Sequence, residues 1–386
     1  MKTVITTERI PIKLWLEEDQ IEAEALEQAR NLANLPFAFK HIAIMPDTHV
    51  GYGMPIGAIL ATKAVVVPNA VGVDIGCGMC SLRTNLTHIE KPELKKIMSE
   101  IRKTIPLGFN HHEMPQDESW MPIKKGNLPI VEQEYESALY QVGTLGGGNH
   151  FIEIQKGSDG YIWIMIHSGS RNIGFTVANH YNDIAKEKNK ALNENVPKDL
   201  AFIPKDSEYF DLYWNEMIYC IHFALANRKL MMERTKQAFM DIIPEVEFSD
   251  FINKPHNFAA LEEHFGELVI VHRKGATRAR KGEWGMIPGS QGTQSFLVKG
   301  KGNAESFESC SHGAGRVMSR AQARRTLNLK EEISLLSDQG ILHAIRNRSD
   351  LDEAPSSYKD IDEVMANQTD LVEVQITLQP LAVIKA

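Results

Sequence analysis

Candidate functional residues are spread along this chain from Asp74 to Lys385, and that spread limits the architecture more than any single motif does. Any division of the 386 residues would have to bring both halves to one site. No Pro/Ser-rich linker, repeat or low-complexity block interrupts the chain, and 43% hydrophobic content is ample for a large core. One domain over residues 1–386 is therefore expected. Apolar runs predict strands in HIAIM, GAILATKAVVV, YIWIMI, GELVIVH, QSFLVKG and LVEVQITLQPLAVIK. Periodic stretches predict helices at Ile21 to Leu35, Lys91 to Thr104, Ser207 to Met240, Arg316 to Leu327 and Ile361 to Ala366. The mixture indicates an α+β fold with substantial sheet, and His111 to Pro129, rich in Pro, Gly and charge, reads as a surface excursion.

The run SFESCSHGAGR, Ser306 to Arg316, surrounds one histidine with the small residues that close approach of a phosphate requires. His312 is flanked by Ser311, Gly313 and Gly315, and Arg316 opens a segment of helical pattern. A neutral imidazole is a competent nucleophile toward phosphorus, and backbone N–H groups at a helix start can meet phosphate oxygens. The run predicts phosphoryl or nucleotidyl transfer; taken alone, it equally describes a Gly-rich turn in which His312 caps a helix.

The surrounding motifs favour the first reading. PNAVGVDIGCGMC sets Asp74 and Cys77 three residues apart between glycines, where a carboxylate and a thiolate can converge on a metal. GTLGGGNHFIE places three glycines before Asn149 and His150, with an apparent strand after them, and IWIMIHSGSR ends an apolar run in His167. In each case a ligand-type side chain sits at the end of a buried-looking strand. His256, in KPHNFAA, has weaker surroundings. Three imidazoles, a carboxylate and a thiolate suit Mn, Co, Ni or Zn, and Cys77 is the natural bridge between two ions.

These segments together resemble the RtcB family of RNA-splicing ligases. The resemblance runs from MPDTHVGYG at Met45 to the final LAVIK, and GVDIGCG, GGGNHF, HSGSR, HNF, PGSQGTQS and SHGAGR stand in the family's order. It implies a single large RtcB-like domain with mixed β-sheets and surrounding helices. It also implies joining of RNA ends bearing a 3'-phosphate or 2',3'-cyclic phosphate to 5'-hydroxyl ends, with GTP and two Mn2+ ions as cofactors. Cys77, His167 and His256 would hold one ion and Asp74, Cys77 and His150 the other. His312 would be the residue that becomes guanylylated, and the metal centre would also open a cyclic phosphate. Nucleotide contacts carried over by motif are Asn149, His150, Phe151 and Glu153, Ser290 and Ser295 in PGSQGTQS, His312, Ala314 and Gly315, and Lys385 in LAVIKA. A carboxylate such as Glu153 can accept from guanine N1 and N2, a donor pattern adenine lacks. From periodicity alone Phe151 is equally a core aromatic, and Lys385 equally a solvated lysine. An archease-like activator is a partner the resemblance allows. Asp47 and His49 lie near the active site in the family without supplying metal ligands.

Charge distribution bears on the partner. The chain carries −8 overall, against indiscriminate nucleic-acid coating, yet Val271 to Lys330 holds twelve Lys or Arg against three acidic residues, a local +9. Arg273, Lys274, Arg278, Arg280 and Lys281 cluster there, and Arg316, Arg320 and Arg324 fall at i, i+4 and i+8, a stripe expected to face a polyanion. The absence of a signal peptide or membrane-length apolar run predicts a cytoplasmic protein. Four cysteines make no disulfide framework; Cys80, which completes a CxxC with Cys77, reads as a buried apolar residue or, alternatively, as a redox partner that could remove the bridging thiolate. His272, ending an apolar strand, could cap a turn or contact phosphate. Two rival functions are a GTP-independent metal phosphodiesterase or phosphatase, and an RNA-binding module with a structural metal.

Overall fold

Apolar segments with β-branched residues pair into two main sheets in the computed structural model, which describes residues 1–192 and 194–386. One sheet orders Thr3–Ile5, Ile12–Leu14, Ala38–His49, Ile56–Thr62, Glu267–Lys274 and Asn257–His264, with only Ile12–Leu14 running parallel to its neighbour Ala38–His49. The other orders Phe248–Pro255, Gly78–Thr84, Ile162–Ser168, Phe151–Gly157, Val372–Ile384, Ser295–Gly300 and Trp284–Ile287, antiparallel throughout. The fold is α+β. Strands such as Ile162–Ser168 are buried along their whole length, which is why they read as continuous apolar runs.

The helix Glu208–Met240 organises the second sheet and the loops beside it. Ser207 caps it, its Oγ accepting from the Tyr209 N–H, and its buried positions include Phe210, Met217, Cys220, Phe223 and Met231. Two polar residues in its middle, Asn227 and Arg228, are wholly buried. The helix Lys91–Thr104 matches its expected bounds, as does Ile361–Ala366.

The Arg316 to Leu327 expectation is corrected: the helix spans Arg320–Thr326, with Ser319 Oγ accepting from the Gln322 N–H. Arg316 instead bridges to Tyr358 and hydrogen-bonds the Asp352 carbonyl, so its backbone is held extended. Helices Pro129–Gln141, Arg171–Ala191 and Leu329–Ser337 were not anticipated from the pattern. Among the described residues no helix is long and apolar enough to cross a membrane.

Candidate active site

Loop ends from both sheets meet at one place. Gly78 opens one strand, His167 and Ser168 close another, Phe151 opens a third, and His256 lies between Phe248–Pro255 and Asn257–His264. Cys77 Sγ lies 3.3 Å from His167 Nε2 and 3.5 Å from His150 Nε2. His256 Nε2 is 3.3 Å from His167 Nε2, and Asp74 Oδ2 is 3.2 Å from His150 Nε2. The five residues that the motifs singled out as ligands are thus contiguous.

The ring orientations test whether this set fits a metal. His150 Nδ1 pairs with the Leu145 carbonyl and His167 Nδ1 with the Asn149 carbonyl, each at 3.0 Å. Those bonds fix Nδ1–H as donor and leave the Nε2 lone pairs converging on sulfur, the tautomer a ligating histidine adopts. Burial, then neighbouring imidazoles, hold His167 and His256 well below the usual histidine range, so both rings are neutral donors. Burial, reinforced by Asp74, raises the Cys77 thiol well above its ordinary value, so a thiolate here needs a cation beside it. Asp74 is ionised: burial works against it, but His150, Arg171 and the Ser170 N–H lower it to about 2. The set fits a transition-metal ion or a pair sharing Cys77.

Asn227 and Arg228 hold the loops that carry these ligands. Asn227 accepts from the N–H groups of Gly143 and Thr144 and donates to Ser168 Oγ and the Gly169 carbonyl. Arg228 donates to the carbonyls of Gly76 and Ser168 and to Asn253 Oδ1. One helical turn therefore ties four chain segments together. Gly169 is required by close approach, since a Cβ there would collide with the Asp74 carboxylate.

His312 follows the short strand Ser309–Ser311, which pairs with Ala276–Arg278. Arg273, fully buried, grips both oxygens of Glu262 at 2.7 and 2.9 Å and also donates to the Phe307 carbonyl and Ser309 Oγ, fixing that strand. Asp47 then fixes the histidine. Its Oδ2 accepts from His312 Nδ1 at 2.6 Å, from the His312 N–H at 3.0 Å and from the Gly313 N–H at 3.3 Å. Burial opposes ionisation of Asp47, yet the His312 ring and N–H hold it below the usual carboxylate range. Nε2 is left as the ring nitrogen free to react, and the His312 ring lies 4.8 Å from that of His256. Gly315, at φ 76°, runs against the Asp47 backbone where any Cβ would clash. Sequence reasoning placed Asp47 only near the active site, through the family resemblance, because its partner lies 265 positions away.

A 620 Å³ cleft opens beside these groups, lined by Asp74, Cys77, His167, His256 and His312, and further along by Asn149, Phe151, Glu153, Ser290, Ala314, Gly315 and Lys385. His150 and Ser295 stand behind the wall. Ser295 Oγ accepts from the Gly289 N–H and Gln155 Nε2 and so supports the turn that carries Ser290. Phe151 faces the cleft, its ring 5.7 Å from that of His167, and Lys385 Nζ lies 5.8 Å from its centroid. Glu153 accepts from Gln155 Nε2 at 2.8 Å, and burial raises its carboxyl to about 8. Glu353 was missed because DLDEAPSSY reads as polar surface; it is a buried hub for Lys385, Arg316, Arg320 and the Tyr358 hydroxyl. Burial disfavours its charge, but those partners hold it at about 2.

Other sequence readings resolve locally. His272 is wholly buried, accepting from the Val67 N–H and pairing with the Leu60 carbonyl, so it ties strands together. Cys80 packs in the core with its thiol pushed up to about 12 by burial, as expected of an apolar residue. In the basic cluster Arg278 pairs with Glu283, Arg280 with Glu308 and Arg324 with Asp352, buried Lys274 donates to the Tyr52 carbonyl at 2.6 Å, and Lys274, Arg316 and Arg320 line the cleft.

A metal-type cluster that opens onto a cleft, next to a histidine gripped by a buried carboxylate, defines an enzyme active site; a closed structural metal site would have its ligands sealed from any cavity. A family model described as tRNA-splicing ligase RtcB matches residues 28–138 and 118–386. The RNA-splicing ligase RtcB of Escherichia coli (strain K12) is 41% identical over 99% of both chains. The tRNA-splicing ligases RtcB of Nanoarchaeum equitans and Thermococcus kodakarensis are 32% and 30% identical, over 97% and 98% of this chain and 95% of each relative. The chain belongs to the RtcB family of RNA ligases.

Proposed function

We propose that residues 1–386 act as one catalytic unit, a GTP-dependent ligase that joins RNA 3'-phosphate or 2',3'-cyclic phosphate ends to 5'-hydroxyl ends through a guanylylated His312. The observation that carries this reading is the Asp47–His312 pair. A carboxylate that takes Nδ1–H at 2.6 Å fixes the tautomer in which Nε2 holds the reactive lone pair, and stabilises the positive charge the ring gains on attack.

In the first step His312 Nε2 forms a bond to the α-phosphorus of GTP as the α–β anhydride bond breaks and pyrophosphate leaves. A 3'-phosphate oxygen of the RNA next bonds to the guanylyl phosphorus as the P–N bond breaks, which frees His312. The 5'-hydroxyl oxygen then bonds to the RNA 3'-phosphorus as the anhydride bond to GMP breaks, its proton passes to solvent, and GMP departs. Cys77, His167 and His256 would hold one Mn2+ and Asp74, Cys77 and His150 a second, supplying positive charge to phosphate oxygens. Glu153 reads the guanine N1 and N2 donors, Phe151 offers its face to the base, and Lys385 and Ser290 lie along the nucleotide. Asn149, Ala314 and Gly315 line the same wall. An archease-type activator is the protein partner implied by the family, and a reducing cytoplasm keeps Cys77 a thiol.

The test is covalent labelling of the reduced, Mn2+-loaded protein with α-labelled GTP or ATP. Acid-labile label from GTP alone, lost in His312→Ala, is the expected result. A fully metal-loaded protein that takes no label would overturn the reading and point to a GTP-independent phosphodiesterase.

A further inference from the structure

Most cations that the sequence pattern assigns to a polyanion are ion-paired within the chain, with Glu262, Glu283, Glu308, Asp352 and Glu353, and of these Arg316 and Arg320 line the cleft already described. A different set stands without carboxylate partners. Lys91, Lys95 and Arg102 lie at i, i+4 and i+11 of the helix Lys91–Thr104, one face with Met98 between them, and among the described residues none makes an ion pair. That face forms one wall of a 410 Å³ groove whose other wall includes Ser337, Gly340, Leu342 and His343. No Asp or Glu lines it. Partial burial of its guanidinium, and then the charge of Arg346, which itself pairs with Asp350, weaken Arg102's hold on its proton. Like charges in a carboxylate-free concavity raise the local potential for an anion.

The groove shares a wall with the cleft. The Leu342 N–H donates to the Leu381 carbonyl at 2.9 Å, and the Val383 N–H donates to the Leu342 carbonyl at 2.8 Å. Val383 and Lys385 of the same segment line the cleft, and Arg346 donates to the Ala386 carbonyl. Eleven residues of helix, about 16 Å at 1.5 Å per residue, separate Lys91 from Arg102, long enough to follow several phosphates rather than one. A single small anion would leave most of that length unused.

We infer that this groove is a subsite for the phosphodiester backbone of the RNA strand that enters the cleft past Lys385. The inference rests on the ligase reading above and extends its substrate beyond the reacting ends. The cations fix the strand's path by charge, without reading its bases.

The exposed pair Lys95→Gln/Arg102→Gln removes two charges without touching the core. Binding is measured against salt for a 3'-phosphorylated RNA of about 12 nucleotides, the length class a single-strand groove covers, and for a dinucleotide. Expected are roughly tenfold weaker binding of the longer RNA and a salt slope shallower by about 1.4, at about 0.7 per phosphate contact on a single strand. Dinucleotide binding and GTP labelling of His312 stay unchanged, and Lys95→Arg/Arg102→Lys restores the affinity. Unchanged affinity and slope for the longer RNA would overturn the inference, as would an equal loss for the dinucleotide. Absence of label in the unaltered protein would strike the ligase reading instead, while the binding comparison still decides the groove.

Discussion

Asp47 and His312, 265 positions apart, are joined by a 2.6 Å hydrogen bond from Nδ1 to a carboxylate that is wholly buried. The same oxygen takes two backbone N–H groups of the histidine loop, so one carboxylate sets ring, tautomer and loop together. Asp47→Asn keeps the shape and removes the charge. The rate of covalent labelling by GTP is expected to fall by about 10²-fold or more, the scale of a positioned acid–base partner, with a stability loss of about 1–3 kcal/mol for the buried amide group that gains no acceptor. A labelling rate equal to the parent's would remove Asp47 from the chemistry.

Metal content should follow the ligand geometry. Cys77→Ser is expected to lower Mn2+ or Co2+ stoichiometry and to abolish the sulfur-to-metal absorption of the Co2+-loaded protein, whereas Cys80→Ser leaves both intact. Chelation should stop labelling and added Mn2+ restore it. Full metal retention by Cys77→Ser would contradict the bridging assignment.

The Glu153 carboxyl, raised to about 8 by burial, is mostly protonated near neutrality. Accepting from guanine requires the ionised form, so GTP affinity should increase as pH rises toward about 8 and level off above it. Below that value the penalty is about 1.4 kcal/mol per pH unit. Glu153→Gln should flatten the profile and weaken the preference for GTP over ATP. Titration calorimetry across pH checks this, and a parent profile that falls with pH would refute it.

Truncating Asn227 to Ala leaves the N–H groups of Gly143 and Thr144 without their buried acceptor. A stability loss of about 2–6 kcal/mol is expected, at about 1–3 kcal/mol per unsatisfied buried group, read by denaturant unfolding. Metal affinity should drop with it, because the loops carrying His150 and His167 lose their common anchor. Unfolding at the parent's midpoint would show that the anchor is dispensable.

Much of this site was legible in the sequence because its residues sit where periodicity breaks. His167 ends a buried run, and Asn149 and His150 precede one, so motif and strand boundary coincide. What was not legible depends on distant partners. Asp47 shows its role only once Ala38–His49 and the His312 loop are neighbours. Glu353 looks like one acid in a polar stretch until Lys385, Arg316 and Arg320 surround it. The arginine stripe had helical spacing, but ion pairs and the bridge to Tyr358 decide where those side chains go. Arg171–Ala191 went unseen because Gly174, Thr176, Asn179 and Asn182 are weak helix formers, so packing rather than propensity sustains its first turns.

The central pair on the long helix has a consequence for biosynthesis. The loops bearing Asp74, Cys77, His150 and His167 are all translated before Asn227 and Arg228, the residues that hold them. A nascent chain can therefore emerge with its ligands made but unframed. Assembly of the cluster waits for the helix, and His256 follows the helix in the chain, so the five side chains can converge only after Asn227 and Arg228 have been made.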